Sequence, residues 1–158
     1  VNSYYSDGDI NSGEEALDAG VKAILAFENE FGKYPYPEID IVLTYLDAGG
    51  MEYPNLVMIS NVLEAEFGDD SLLKIVVAHE VAHQWFYGMV GDNQFTEAWL
   101  DESFASYSEE DAFREAIKAY FKDYSMKIAT TEDFIQGITK YAPDNQEVEQ
   151  LLQKYLKE

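Results

Sequence analysis

Cysteine is absent from the 158 residues, which removes disulfides and thiolate metal sites together. Any metal ligands must then be histidine and carboxylate. Positive charge is also scarce: 10 basic residues face 31 acidic ones, a formal charge of −21. That balance argues against nucleic acid or an anionic membrane as a partner, and suits a cationic group such as a peptide's amino terminus or a divalent ion. No apolar run reaches membrane-spanning length, because the longest, residues 72–86, is interrupted by Lys74, His79, Glu80, His83 and Gln84. Neither a targeting segment nor an initiating Met precedes Val1, so the chain reads as a piece of a longer protein. With 47% hydrophobic and 15% aromatic residues it can bury a core as one globular domain spanning 1–158.

Histidine is scarce too, and its placement is informative. The chain has two, His79 and His83, and residues four apart on a helix share a face, so both imidazoles can reach one ion. Glu80 follows the first histidine, where its carboxylate lies beside the ion and can take a proton from a metal-activated water. Leu72, Leu73, Ile75, Val76, Val77, Ala78, Val81, Ala82, Trp85 and Phe86 make the surrounding helix almost wholly apolar. Such a helix belongs in a core, and a carboxylate there needs a chemical reason. Glu102, after 18 intervening residues (84 through 101) and within a second helical pattern, is the third candidate ligand.

Around this centre the chain reads in order as follows. Residues 1–11 form an entering loop. Ser12 and Glu15 make a capping box that opens a helix ending near Gly32. Ile39 to Leu46 and Leu56 to Ser60 have the branched composition of strands, separated by Gly49-Gly50, where a ligand's backbone could approach closely. Pro54 favours an edge position for the second strand, and an edge strand can receive an extended peptide. The central helix is capped by Asp70 or Ser71, runs to about Tyr87 and stops near Gly88. Thr96 caps a helix with Leu100, Phe104 and Tyr107 on one face and Trp99, Glu102 and Ser106 on another. Helices over Asp111–Tyr124, from Thr130 to about Tyr141, and from Asp144 or Asn145 through Leu156 complete the chain, with Pro143 ending the second of these.

His79-Glu80-Val81-Ala82-His83-Gln84-Trp85-Phe86 and Trp99-Leu100-Asp101-Glu102, with the 18-residue spacing, resemble the gluzincin aminopeptidases of the aminopeptidase N family, in its bacterial branch. Gly49-Gly50-Met51-Glu52-Tyr53 is similar to that family's Gly-x-Met-Glu-Asn exopeptidase motif. The resemblance covers residues 1–110 closely and 111–158 more loosely. It implies one zinc ion held by His79, His83 and Glu102, with Glu80 as general base. It also implies that Glu52 binds the free α-amino group of a peptide substrate while the Gly49-Gly50-Met51 backbone aligns it.

The implied fold is α+β: a thermolysin-like zinc metallopeptidase domain with a small sheet and a mostly helical remainder. The implied function is zinc-dependent removal of amino-terminal residues from peptides by metal-activated water. Tyr53 stands where the family has Asn, and Ser103 where it has Gly. The family's oxyanion-binding tyrosine has no match by motif in Tyr107, Tyr120, Tyr124 or Tyr141, and the chain reads as shortened around Glu110 and Asp111. No stretch of these 158 residues resembles the family's amino-terminal β domain. These departures keep open an alternative, a zinc-binding scaffold or peptide-binding module of the same fold with impaired catalysis.

Overall fold

The computed structural model describes residues 1–62, 70–106 and 111–141. The expected last helix, Pro143 and the junction at 108–110 lie outside the described residues. The chain divides into two compact units, Val1–Gly88 and Met89–Glu158, each described by itself.

In the first unit, β1 (Asn2–Tyr4) leads through a 3₁₀ turn (Asp7–Asp9) into helix α1 (Ile10–Phe31). Ser12 lies inside α1, not at its cap. The 3₁₀ turn starts the helix early and places Asp9 at the N-cap position, where its negative charge complements the helix dipole. The end is as the sequence predicts, with the Gly32 N–H donating to the Glu28 carbonyl at 3.1 Å.

Strands β2 (Asp40–Thr44), β3 (Gly50–Met51) and β4 (Leu56–Ser60) join β1 in one sheet of order β1-β2-β4-β3. The first three neighbours are parallel, with Asn2 opposite Asp40 and Asp40 opposite Leu56. Strand β3 is antiparallel to β4, with Gly50 opposite Ile59 and Met51 opposite Met58. The strand over Leu56–Ser60 is therefore interior, and the edge belongs to Gly50–Met51. Pro54 needs no edge strand, because it sits in the turn before β4, closed by the Leu56 N–H on the Tyr53 carbonyl at 3.0 Å. Strand β1 was expected as loop; three residues paired on one side carry too little periodicity to be read.

Helix α2 (Asp70–Ala82) packs along α1. Alternation along β2 and β4 turns Ile41, Leu43, Val57 and Ile59 into the core. Ala16, Ala19 and Ala23 of α1 are buried there with Leu73, Val77 and Val81 of α2. The small side chains on α1 let the two helices approach closely. Ile75 departs from the expectation of an all-buried helix, since it is 62% exposed.

Helix α2 ends five residues sooner than its apolar run predicts. Gln84 and Trp85 donate to the Val81 and Ala82 carbonyls, the tighter three-residue bonding, each at 3.0 Å. Tyr87 then takes φ 102° and the Gly88 N–H returns to the His83 carbonyl at 2.8 Å. A Cβ on Gly88 would lie 2.6 Å from the Gln84 carbonyl oxygen, so glycine is what lets the chain turn here. Aromatic packing holds the turn: Trp85 lies 5.5 Å from both Phe27 and Tyr34, and Phe86 meets Phe31 edge-on at 5.1 Å. The Trp85 indole N–H also donates to the Gly32 carbonyl at 3.2 Å.

In the second unit, β5 (Val90–Gly91) and β6 (Lys127–Ile128) form a short parallel pair, which sequence reading missed because each has only two residues. Helix α3 (Trp99–Ser106) begins three residues after Thr96. The preceding chain is held by Asn93, whose side chain and carbonyl accept the N–H groups of Phe95, Thr96 and Glu97. Helices α4 (Asp111–Tyr124) and α5 (Thr131–Tyr141) pack on each other through Ala116, Ile117, Tyr120, Phe121, Phe134 and Ile138. Thr130 caps α5 as expected: its Oγ1 accepts the Asp133 N–H at 3.2 Å, and Asp133 accepts the Thr130 N–H at 3.0 Å. A small sheet and a largely helical remainder are thus as predicted. No helix among the described residues is long and apolar enough to cross a membrane.

Candidate metal centre and its surroundings

The two imidazoles come together where the spacing places them. His79 is on the last full turns of α2 and half-buried; His83 is in the turn that follows and only 1% exposed. The His83 N–H still reaches the His79 carbonyl at 3.4 Å, so the four-residue relation survives the end of the helix. Their Nε2 atoms are 3.2 Å apart, with ring centroids 4.8 Å apart and planes at 82°. Two nitrogens so close converge on one point in space.

The ring orientation is set from behind. His83 Nδ1 lies 3.3 Å from the Phe86 carbonyl. A carbonyl can only accept, so Nδ1 carries the proton and, in the neutral ring, Nε2 keeps its lone pair for a ligand role. The tight turn from Gln84 to Gly88 is what brings that carbonyl back under the ring. The donor set and its orientation therefore fit a borderline metal such as zinc.

Glu80 is buried, at 6% exposure, and its side chain lies against the backbone of β3. A Cβ built on Gly50 would overlap the Glu80 carboxylate, so the glycine expected to admit a ligand admits this side chain. Met51 completes β3, and Glu52, half-buried, follows it directly. Gly49 precedes β3, and its carbonyl accepts the Ser60 N–H at 2.9 Å. The sequence-predicted residues of the first unit are thus gathered on the end of α2 and the β3 edge it packs against.

Glu102 belongs to the second unit, exposed in the first turn of α3. Its N–H donates to Asp101 Oδ1 at 2.9 Å, and Asp101, 2% exposed, also accepts Gln94 Nε2 at 2.8 Å. The same Gln94 nitrogen donates to Asp92 at 2.8 Å. Burial, then the neighbouring Asp101, pushes the Asp92 carboxyl up to about 6.

Two of the four tyrosines are engaged within the second unit, one by packing and one by a hydrogen bond. Tyr120 is 1% exposed among Tyr124 and Phe134, and burial pushes its hydroxyl up. The Tyr124 hydroxyl donates to Asp133 Oδ1 at 3.2 Å. Tyr107 and the Tyr141 side chain lie outside the described residues.

Sequence reasoning passes over Gln84, which it reads only as part of a matching string. The signal was available: an uncharged polar residue directly before buried Trp85 and Phe86 must find its hydrogen bonds inside. Gln84 is 2% exposed, and it finds them on the Tyr53 carbonyl and the Asn55 N–H.

Residues 15–111 match the peptidase family M1 domain. The chain is 36% identical over 115 residues to aminopeptidase M1-B of Oryza sativa subsp. japonica, a stretch that is 68% of this chain and 13% of that protein. It is 38% identical over 113 residues to aminopeptidase N of Acetobacter pasteurianus, 66% of this chain and 32% of that one. Aminopeptidase N of Lactococcus lactis subsp. lactis is 37% identical over 106 residues, covering 63% and 12%. The matched stretch thus spans a third or less of the length of each of these relatives.

Proposed function

The chain belongs to peptidase family M1, and from that premise we propose that it is a zinc-dependent metallopeptidase that removes amino-terminal residues from peptides. The observation that carries the reading is the convergence of His79 and His83 Nε2 at 3.2 Å, with the His83 ring oriented by the Phe86 carbonyl. His79, His83 and Glu102 offer two imidazoles and a carboxylate, a set that suits one zinc ion and leaves a position open. Zinc, when bound, polarises the scissile carbonyl and makes water a stronger acid.

The chain's own groups do the rest. Glu80, one residue from His79 and shielded from solvent, takes the proton of the attacking water and returns it to the leaving amine. Glu52 receives the substrate's α-ammonium group, which selects a free terminus over an internal bond. Gly49, Gly50 and Met51 at the sheet edge align the peptide backbone. In this proposal the fold is thermolysin-like and residues 1–158 serve one zincin-type catalytic domain. The substrate is a peptide with a free amino terminus, and neither nucleic acid nor membrane is a partner, in keeping with the charge of −21.

A second reading has its own support. With Tyr120 buried and the Tyr124 hydroxyl engaged by Asp133, neither is placed as a free oxyanion donor, whose loss typically costs about a hundredfold or more in rate. The chain would then be a zinc-holding peptide binder. Hydrolysis of aminoacyl chromogenic substrates by the zinc-loaded protein, beside Glu80→Gln, separates the two. Turnover abolished by the substitution supports the peptidase. Stoichiometric zinc without turnover supports the binder.

A further inference from the structure

The Gln84 carboxamide bridges two parts of the first unit that the proposed function needs in register. Its Oε1 accepts the Asn55 N–H at 2.8 Å and lies 3.4 Å from the Tyr34 hydroxyl oxygen. Its Nε2 donates to the Tyr53 carbonyl at 3.4 Å. The amide thus grips both sides of Pro54, in the turn immediately after Glu52, while its own backbone adjoins His83.

We propose that Gln84 is a positioning residue, locking the turn behind Glu52 to the turn that carries His83 and so fixing the span from amine anchor to metal centre. The inference rests on the proposed aminopeptidase reading. What requires such a lock is the brevity of the ladder in front of it. Strand β3 pairs with β4 at only Gly50 and Met51, and Glu52 lies just beyond the last pair, where pairing alone leaves its direction weakly fixed.

The turn itself is a rigid unit. The Leu56 N–H closes it on the Tyr53 carbonyl, and the Asn55 carbonyl accepts the Asp40 N–H at 2.9 Å. Asn55 holds φ 65°, a conformation asparagine tolerates better than most residues. Its side chain accepts the Tyr34 hydroxyl at 2.5 Å. Burial, reinforced by Tyr36, pushes that hydroxyl up to about 12, so it stays protonated and donating. A rigid turn held by a buried amide transmits the position of the His83 turn to Glu52. An exopeptidase needs that span fixed, because only one residue separates the amine from the bond to be cut.

The test uses the zinc-loaded full chain and two probes, leucine hydroxamate and its N-acetyl derivative, with binding read by calorimetry. The wild type should prefer the free amine by about tenfold, the scale of one charge-assisted hydrogen bond. Gln84→Met should bring that preference to within about twofold through the free-amine probe alone, leaving the N-acetyl affinity and one zinc per chain unchanged. Gln84→Asn, which keeps the amide but shortens its reach, should shift the preference in the same direction by less. A preserved preference in both variants overturns the positioning role and leaves the aminopeptidase reading standing. Lost zinc or lost folding in both variants assigns Gln84 a purely structural role and also overturns it. A wild type without preference overturns the aminopeptidase reading, and this inference with it.

Discussion

Gly50 and Glu80 occupy adjoining space that a single methyl group would make them contest. The atoms a Cβ would strike are those of the Glu80 side chain beyond its own Cβ, which can move, whereas the strand that carries Gly50 is fixed by its pairing to β4. A substitution at Gly50 is therefore felt at the carboxylate before it is felt by the fold.

Gly50→Ala should retain one zinc per chain and lose no more than about 1 kcal/mol of stability. Its kcat/KM on an aminoacyl chromogenic substrate should fall on the order of a hundredfold, as misplacement of a reacting group by about 1 Å allows. Unchanged turnover would show that the carboxylate works equally well away from the β3 backbone.

Metal removal should be visible in stability as well as activity. A ligand present at about a thousand times its dissociation constant adds about 4 kcal/mol, so chelation should lower the melting temperature by about 10 °C. His83→Ala should abolish this response. It should also lower the melting temperature without metal more than His79→Ala does, because it removes a 1%-exposed ring and the donor to the Phe86 carbonyl. Equal chelator sensitivity in wild type and variant would count against His83 as a ligand.

How much of this was legible in the sequence follows from which signals are local. The helix opening at Thr130, strand β4 and helix α4 announce themselves through residue types and period, and the structure has them where expected. The four-residue spacing of the histidines likewise survives. The end of α2 was not legible, because the apolar run through Phe86 continues past Ala82 while the backbone is already tightening toward the left-handed Tyr87. Strands β1, β5 and β6 exist only through partners distant in sequence. Gln84 was hidden for the same reason, since its partners lie 29 and 31 residues away.

Asp92 gives the second unit a pH signature. Its carboxyl is raised from 3.8 to about 6 by burial and by Asp101, with Glu97 adding to the repulsion. A raised carboxyl favours the fold when protonated, so its contribution is fully present below 3.8 and is lost as pH rises through about 6. Asp92→Asn keeps an acceptor for Gln94 and cannot ionise. Urea titrations should find the variant more stable than wild type at neutral pH by up to about 1 kcal/mol once solvent screening is allowed for, with the gap closing toward pH 4. A gap independent of pH would rule out this titration as its cause.

Thr130→Ala should cost about 1 kcal/mol, as loss of an N-cap does, lowering the melting temperature by about 2–4 °C. Asp133, held low chiefly by the Thr130 N–H, contributes its share of the cap above its ordinary pKa and loses it as pH falls through the depressed one. The substitution keeps that N–H and removes the Thr130 hydroxyl, which also donates to Asp133 Oδ2 at 2.9 Å, so the part of the deficit due to this bond should shrink in acid. A constant deficit from neutral pH to strong acid would separate the cap from the Asp133 charge.

Both edges of the first unit's sheet are short, three residues in β1 and two in β3. An open edge is a row of backbone donors and acceptors that any extended chain can join, including a neighbouring copy of the same protein. Two residues offer enough bonds to steer a short peptide that is also held by side chains, and too few to recruit a second sheet without them. Among the described residues Gly50–Met51 ends the sheet, and its brevity limits the recruitment of a second sheet, a protection that a redesign lengthening β3 to strengthen peptide contacts would forfeit.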